Sequence, residues 1–509
     1  MRFNFRTKDK MATVNHEGAK AYTLTPEMEL YSAIATTMLN DGFYENADNT
    51  LDRIKSLMPK VNATFVAKLA VYARQEMNLR TAPVVLATEL AKIHTGDGLV
   101  GKTVEKIVKR PDEITEMLSY YQIANDRKGI KKLNKVSKQI QKGLAASFNN
   151  FDEYQFAKYN RNAAVKLRDV LFLVHPRAKD EAQQMLFNKI AADELAIPYT
   201  WETELSALGQ QKFETEKAKK EAVRVKWEEL IDSKRIGYMA ILRNLRNILE
   251  CEVSKTHIKA VCEYLTTSIA VANSKQLPFR FLAAYRELKA VNSGYTSYVM
   301  KALEKGLRLS VKNMKGFELD TKVVIGCDVS GSMQTPVSAK SKILLYDIGL
   351  LLGMLLQSKC DNVISGMFGD RWKIVSLPST GILANVDAFY KREGEVGYST
   401  NGFLVLKDLI SRRYKANKIM LFTDIQMWDS KTNNQAGENT LSYQWSIYKK
   451  IAPEAKLYVF DLAGHGNAPL RIEQHDVYLI AGWNDKVFEV IDAMENGANA
   501  IEVIEKIEI

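Results

Sequence analysis

KVVIGCDVSGSM, residues 322–333, decides how the C-terminal part of this chain folds. The apolar run Val323, Val324, Ile325 ends near Asp328, and Ser330 and Ser332 follow at alternate positions. A short β-branched run of this kind reads as a buried parallel strand. Ligands of an open α/β sheet bind just past the carboxyl ends of its strands. One carboxylate and two hydroxyls placed there suit a hard cation such as Mg²⁺, which takes oxygen ligands and keeps several waters. Gly331 lets the backbone turn tightly enough for both hydroxyls to face one point. In the competing reading, Asp328 and Ser330 only cap the helix that follows.

The D-x-S-x-S pattern resembles the metal-ion-dependent adhesion site of von Willebrand factor A domains. The resemblance implies two further ligands. Thr400 lies in GYSTNGF, a loop that opens the next helix, and Asp424 ends the apolar strand of KIMLFTDIQMW. The expected set is Asp328, Ser330, Ser332, Thr400 and Asp424 around Mg²⁺ or another divalent cation, with an open position for a partner's carboxylate. In that family a pair of glycines usually precedes the threonine, whereas here Tyr398 and Ser399 do. The loop is therefore expected to be stiffer, with Thr400 reaching the ion through water.

The rest of the C-terminal third alternates strand and helix. Strands are predicted at 362–368, 372–377, 456–461 and 477–481, and helices at 340–357, 402–414, 442–451 and 485–497. Such alternation indicates a doubly wound, mostly parallel sheet.

From Pro26 to about Lys315 helical periodicity prevails. Thr25-Pro26-Glu27 is a helix start, with threonine as cap and proline in the first turn. Later helices are predicted at 163–174, 181–192, 237–249, 257–272 and 281–289, and Lys212–Glu229 reads as a solvated, charge-paired helix. No fixed repeat period appears, which fits an irregular α-solenoid. KNMKGFELD breaks the pattern, so the expected domains are 1–318, helical, and 319–509, α/β.

A chain of 509 residues with 46% apolar content can bury two cores. The four cysteines lack metal-ligand spacing, which points to a reducing cytosol. No run reaches transmembrane length, and MRFNFRTKDK lacks the apolar core of a signal peptide.

Charge is unevenly spread. Residues 1–320 hold 51 Lys+Arg against 38 Asp+Glu, while residues 321–509 hold 20 against 22. The basic excess belongs to the helical part, as expected of a surface that meets a polyanion. It concentrates at Arg127, Lys128, Lys131, Lys132, Lys135, Lys138 and Lys142, and no acid occurs from Arg127 to Phe151. On one helix these lysines gather opposite Ile130, Leu133, Val136, Ile140 and Leu144. Phosphate backbones attract such a face through Coulomb energy and counterion release. A membrane-surface helix is the weaker competitor, because flanking Trp is lacking and the apolar side is needed for packing. Tyr120, Tyr121, Phe148, Phe151 and Tyr154 flank the run, as stacking residues or, more often at such spacing, as core.

Three segments carry a further resemblance: 65–92 (FVAKLAVYARQEMNLRTAPVVLATELAK), 159–179 (YNRNAAVKLRDVLFLVHPRAK) and 238–250 (YMAILRNLRNILE). Together with the DVSGSM domain that follows, they look like the TROVE module of the Ro autoantigen and its bacterial Ro-like (Rsr) relatives. The resemblance implies a HEAT-like helical ring that takes single-stranded RNA ends and structured small non-coding RNA of the Y-RNA kind. It further implies RNA quality control or scaffolding, sometimes with a tethered exoribonuclease. Carried onto this chain, it makes Lys138, Lys142 and His175 RNA contacts, supported by Lys128, Lys131, Lys132 and Lys135. Lys166 and Arg168 either reach phosphates or pair with Asp169, and His175 either meets RNA or satisfies carbonyls at a helix end. Arg243 and Asn244 read as helix–helix contacts. Lysines outnumber arginines in the run, which favours point-charge contact over bidentate readout.

Catalysis is not expected. No Walker A, H-E-x-x-H, G-x-S-x-G or C-x-x-C motif occurs, and none of the six histidines is close in sequence to Asp328, Thr400 or Asp424. Two function classes remain: an RNA-binding protein with a metal-dependent A-type domain, or a metal-dependent protein–protein adaptor without RNA. An acid-free cationic run and a near-complete metal site are explained together only by the first.

Overall fold

The computed structural model describes residues 12–14, 20–36, 47–125, 136–160, 164–274, 276, 278–311, 317–336, 343–376, 380–426, 438–463, 467–468, 476–482 and 500–509. The described strands are β1 (Ala12–Val14), β2 (Lys20–Thr23), β3 (Val323–Asp328), β4 (Val363–Phe368), β5 (Trp372–Ile374), β6 (Lys418–Thr423), β7 (Lys456–Asp461), β8 (Asn467–Ala468) and β9 (Val477–Ala481).

Six of them form one sheet in the order β5-β4-β3-β6-β7-β9. All neighbours are parallel except β4 and β5. Every residue of β3 and of β6 is buried, which is why these strands read as continuous apolar runs rather than alternating ones. A Cβ on Gly353, in the helix Leu345–Gln357, meets the Ile325 side chain at 2.9 Å. One on Gly326 meets Val405, in the helix Phe403–Ser411, at 3.3 Å. Ile325 and Gly326 are consecutive and face opposite sides of the sheet, so helices cover both faces. The doubly wound, mostly parallel sheet expected from the sequence is present. Strand order reverses at β3, and the carboxyl ends of β3 and β6 therefore lie at the switch point where ligands of such sheets bind.

Helices dominate between Pro26 and Val311. Thr25 caps Pro26–Thr36, its hydroxyl accepting the Met28 N–H at 3.3 Å. Glu181–Ala192 matches its expected bounds, and Leu441–Ile451 begins one residue before its expected start. Glu216–Asp232 carries the expected charge pairs, among them Arg224–Glu228 and Lys226–Glu229. The single helix expected at 257–272 is two, Lys255–Leu265 and Ser268–Ser274. The hydroxyls of Thr266 and Thr267 bond back to carbonyls of the preceding turn and end the first helix. The helix expected from 163 starts at Leu167, and the one expected from 340 starts at Leu345. The helix expected at 485–497 lies outside the described residues.

Strands β1 and β2 form an antiparallel hairpin, and β2 pairs with β8. None of the three was expected. At two to four residues they are too short for periodicity to register.

Helix gives way to strand between Val311 and Val323. Compactness divides the chain differently from 1–318 and 319–509. One unit comprises Met1–Ile54, Ile241–Glu250 and Ile258–Ile501, the other Lys55–Ala240, Cys251–His257 and Glu502–Ile509. Two polar devices hold the helices Pro278–Leu288 and Thr296–Val311 into the sheet-bearing unit. Arg286 makes two 2.7 Å bonds to the fully buried Asp347, whose carboxylate also accepts the Leu344 N–H at 2.8 Å. Glu304 accepts the N–H groups of Ile382 and Leu383 at 2.6 and 3.1 Å, capping the helix Ile382–Tyr390 from outside. In the other unit, Ala63–Gln75, Thr81–Ile93, Leu99–Ile107, Pro111–Ala124 and Lys138–Ser147 share an apolar core that includes Phe65, Leu86, Val104, Leu118 and Leu144. No described helix is long and apolar enough to cross a membrane.

Candidate functional site

The sheet-bearing unit collects carboxylates at the carboxyl ends of adjacent strands. Asp328 ends β3, Asp424 follows β6, and Asp461 ends β7; all three are buried. Parallel register sets Phe368 beside Asp328 and Asp461 beside Thr423.

Asp328 Oδ1 accepts the Ser330 N–H at 2.9 Å, and its Oδ2 accepts the Thr423 hydroxyl at 2.7 Å. The Ser330 and Ser332 hydroxyls are 3.2 Å apart, so Gly331 does turn both to one place. Asp424 Oδ1 accepts the Gln426 N–H at 3.1 Å, while its Oδ2 is buried without a hydrogen-bond partner. Between them Ile425 sits at φ +67°, a left-handed conformation strained for a β-branched residue. Burial raises the Asp328 carboxyl far above the usual carboxylate range, and the Asp424 charge adds to the rise. Burial likewise raises Asp424, with a contribution from Asp461.

Thr400 is buried. Its loop is tied to the sheet by Asn401 N–H donating to the Gly369 carbonyl at 3.3 Å, and Gly369 directly follows Phe368, the neighbour of Asp328. The Thr400 hydroxyl makes no hydrogen bond to a described residue. The five expected ligands thus come from the β3 turn, the end of β6 and a loop anchored beside them.

This donor set fits a hard cation. It offers oxygen alone, it places two buried carboxylates near each other, and it leaves Asp424 Oδ2 unsatisfied. An ion completes such a group where a neutral pocket does not. Among the described residues no three His, Cys, Asp or Glu side chains gather as metal ligands, which sets the site apart from a zinc-type cluster.

Thr423 and Asp461 were not among the expected ligands. Both carry the signal that found Asp424, a polar residue closing an apolar run, in LFTD and in LYVFD. Asp461 is further held by the Ser32 hydroxyl at 2.7 Å.

The cationic residues belong to the other unit. Lys128, Lys131, Lys132 and Lys135 lie outside the described residues, as does Arg127. The single cationic helix expected through the run is not observed as such. Val136 and Ser137 are non-helical and the helix begins at Lys138, so one face carries Lys138 and Lys142, both exposed. Ile140 and Leu144 are fully buried on its other side, as expected.

The helix Leu167–Val174 exposes Lys166, Arg168 and, at its end, His175. The expected alternative, a salt bridge to Asp169, is absent: Asp169 Oδ2 instead accepts the Lys166 backbone N–H at 2.9 Å and caps the helix. His175 adopts φ +46° and its own N–H bonds to the Leu171 carbonyl, while its ring makes no bond to a described residue. Arg168 lies 5.9 Å from the ring centroid of Phe172, an aromatic 52% exposed that the sequence reading passed over. Tyr121, Phe148 and Phe151 are core, and Tyr120 is bonded to Glu89 at 2.9 Å. Tyr154 is exposed near Lys158. Asn244 is buried and accepts from Asn247, in keeping with a structural role.

The family model described as the TROVE domain matches residues 5–222 and 189–315. Telomerase protein component 1 of Rattus norvegicus is 23% identical over 337 residues, 51% of this chain and 12% of that protein. Its namesake from Mus musculus is 25% identical over 310 residues, 45% of this chain and 11% of that protein. The chain therefore spans only a small part of these curated relatives. The crystal structure of the Deinococcus radiodurans RO (RSR) protein aligns over 90% of this chain and 97% of that one, with a TM-score of 0.60 and 15% identity. At that identity the likeness is one of fold.

Proposed function

This chain belongs to the TROVE-domain family, and from that premise we propose that it is an RNA-binding protein of the ribonucleoprotein type. Its helical unit takes single-stranded RNA, including the ends of small structured RNAs of the Y-RNA kind, in RNA quality control or scaffolding. The observation that carries this reading is a set of exposed cations, Lys138, Lys142, Lys166 and Arg168, without a carboxylate partner among the described residues. Surface cations on a folded protein commonly alternate with acids, and a set left unpaired is available to phosphates. Replacing Lys138 and Lys142 together by Glu is expected to weaken binding of a short single-stranded RNA by at least about tenfold, on the scale of two lost phosphate contacts. Unchanged affinity in a normally melting protein refutes the assignment.

The sheet-bearing unit serves a second role in the proposal. Asp328, Ser330, Ser332, Thr400 and Asp424 hold Mg²⁺ or a similar divalent ion, as in A-type adhesion domains. The ion supplies a Lewis-acidic position for a carboxylate of a protein partner. The chain's own part is to supply oxygen donors: Thr423 fixes Asp328, and Asp424 keeps a buried Oδ2 without a hydrogen-bond partner. The arrangement is a binding device, with no described general base bonded to it. A metal-dependent adaptor without RNA is the second reading, favoured by this acidic site alone.

A further inference from the structure

The helical unit contains a cleft of about 490 Å³ between the end of the helix Glu153–Tyr159 and the segment 195–203. That is the size of a small-molecule site. Tyr159 lines it. The Arg110 guanidinium lies 4.2 Å from the Tyr159 ring centroid and is itself held by Asp112 through bonds of 3.0 and 2.6 Å. The ring is thus backed by a fixed cation. Ile197 forms another part of the lining and is 87% exposed, an apolar side chain that nothing described covers.

The rest of the lining sets the apolar Ala157, Leu195, Ala196 and Pro198 beside a polar edge. Lys158, Asn160 and Glu202 are exposed, and none has a hydrogen bond or ion pair to a described residue; the Lys158 ammonium lies 5.8 Å from the Tyr159 ring centroid and 5.6 Å from that of Tyr154, at the margin of the platform. Thr200 and Thr203, by contrast, are spent on each other and on the Pro198 carbonyl. The free groups therefore comprise two donors, from Lys158 and Asn160, and two acceptors, from Asn160 and Glu202.

We propose that this cleft receives one unpaired nucleobase of the bound RNA, stacked on Tyr159 and read along its polar edge by Asn160 and Glu202. The inference rests on the RNA-binding reading and deepens it. The cleft's composition selects this occupant. An apolar peptide side chain would desolvate three polar groups without replacing their bonds. A phosphate entering the cleft would meet the Glu202 carboxylate, in the first turn of the helix Trp201–Gly209. A base satisfies donors and acceptors at once, and its phosphate remains outside, near Lys158. An aromatic platform with cations at its margin is the usual way of holding single strands. Glu202 is read as the acceptor for an exocyclic amine, which cytosine carries and uracil replaces with a carbonyl oxygen.

The test compares equal-length oligo(C) and oligo(U) RNA by fluorescence anisotropy. Wild-type protein is expected to bind oligo(C) several-fold more tightly than oligo(U). Tyr159→Ala is expected to weaken oligo(C) binding about tenfold, in line with loss of one stacked base, and Tyr159→Phe to restore it. Glu202→Gln is expected to erase the preference for oligo(C) without weakening oligo(U). Melting curves show whether each variant is folded, and Glu202, on the surface, provides the arm that does not depend on the ring. Equal binding of both RNAs by wild type and by Glu202→Gln overturns base reading in the cleft. RNA affinity unchanged by Tyr159→Ala, yet lowered by the Lys138/Lys142 double substitution, leaves the RNA reading standing and assigns the cleft to a protein side chain instead. Failure of wild type to bind either RNA overturns both.

Discussion

At the scale of single residues, Thr423 steers the acidic site more than any other. Its hydroxyl donates to Asp328 Oδ2 and accepts the Ile425 N–H, so one side chain joins the last turn of β6 to the carboxylate of β3. Thr423→Val keeps the shape and removes the bond. Because a buried acceptor is left unpaired, a loss of about 1–3 kcal/mol is expected in chemical denaturation without divalent ions. Asp328→Ala should abolish stabilisation by Mg²⁺, which for wild type at a hundredfold excess over Kd amounts to about 2.7 kcal/mol. RNA affinity should be unaltered. A thermal-shift series against Mg²⁺ measures the first, and persistence of the shift in Asp328→Ala excludes the site. The contiguous half of this site was legible because D-x-S-x-S lies within twelve residues of sequence. Asp461 also closes an apolar run, LYVFD, but only the pairing of β7 with β6 brings it to this site.

At the scale of elements, two polar contacts join the helices Pro278–Leu288 and Thr296–Val311 to helices of the sheet-bearing unit. Arg286→Ala leaves Asp347 buried without its cation, and removal of one partner from such a pair costs about 3–5 kcal/mol. The expected result is a marked drop in the denaturation midpoint of the sheet-bearing unit, with less effect from Arg286→Lys. The helix Lys138–Ser147 depends on close approach instead. A Cβ on Gly143 comes within 2.5 Å of the Gly101 carbonyl and 2.6 Å of Val104. Gly143→Val should therefore cost about 1–3 kcal/mol by overpacking and, in shifting this helix, weaken RNA binding without touching a cation. Long elements with a full apolar face were readable from the sequence, as Glu181–Ala192 and β3 illustrate. Helix ends set by hydroxyl back-bonding at Thr266 and Thr267 were not, since threonine tolerates a helix interior as well.

At the scale of the whole molecule, charge and chemistry are partitioned along the chain. The basic excess lies before residue 321, and the buried carboxylates Asp328, Asp424 and Asp461 lie after it. That partition was visible in the sequence alone, whereas the grouping of Thr296–Val311 with the sheet required the Glu304 cap to be seen. RNA binding and metal binding are expected to respond to separate substitutions. The most direct measurement is a salt titration of affinity for a short single-stranded RNA, with a blunt duplex of equal length beside it. Tight binding that prefers the single strand and falls steeply with salt is expected, and the Lys138/Lys142 double substitution should reduce the slope by about 1.4. Weak binding to both RNAs contradicts an RNA-binding function and leaves the adaptor reading, and tight binding indifferent to salt contradicts the assignment of that function to exposed lysines.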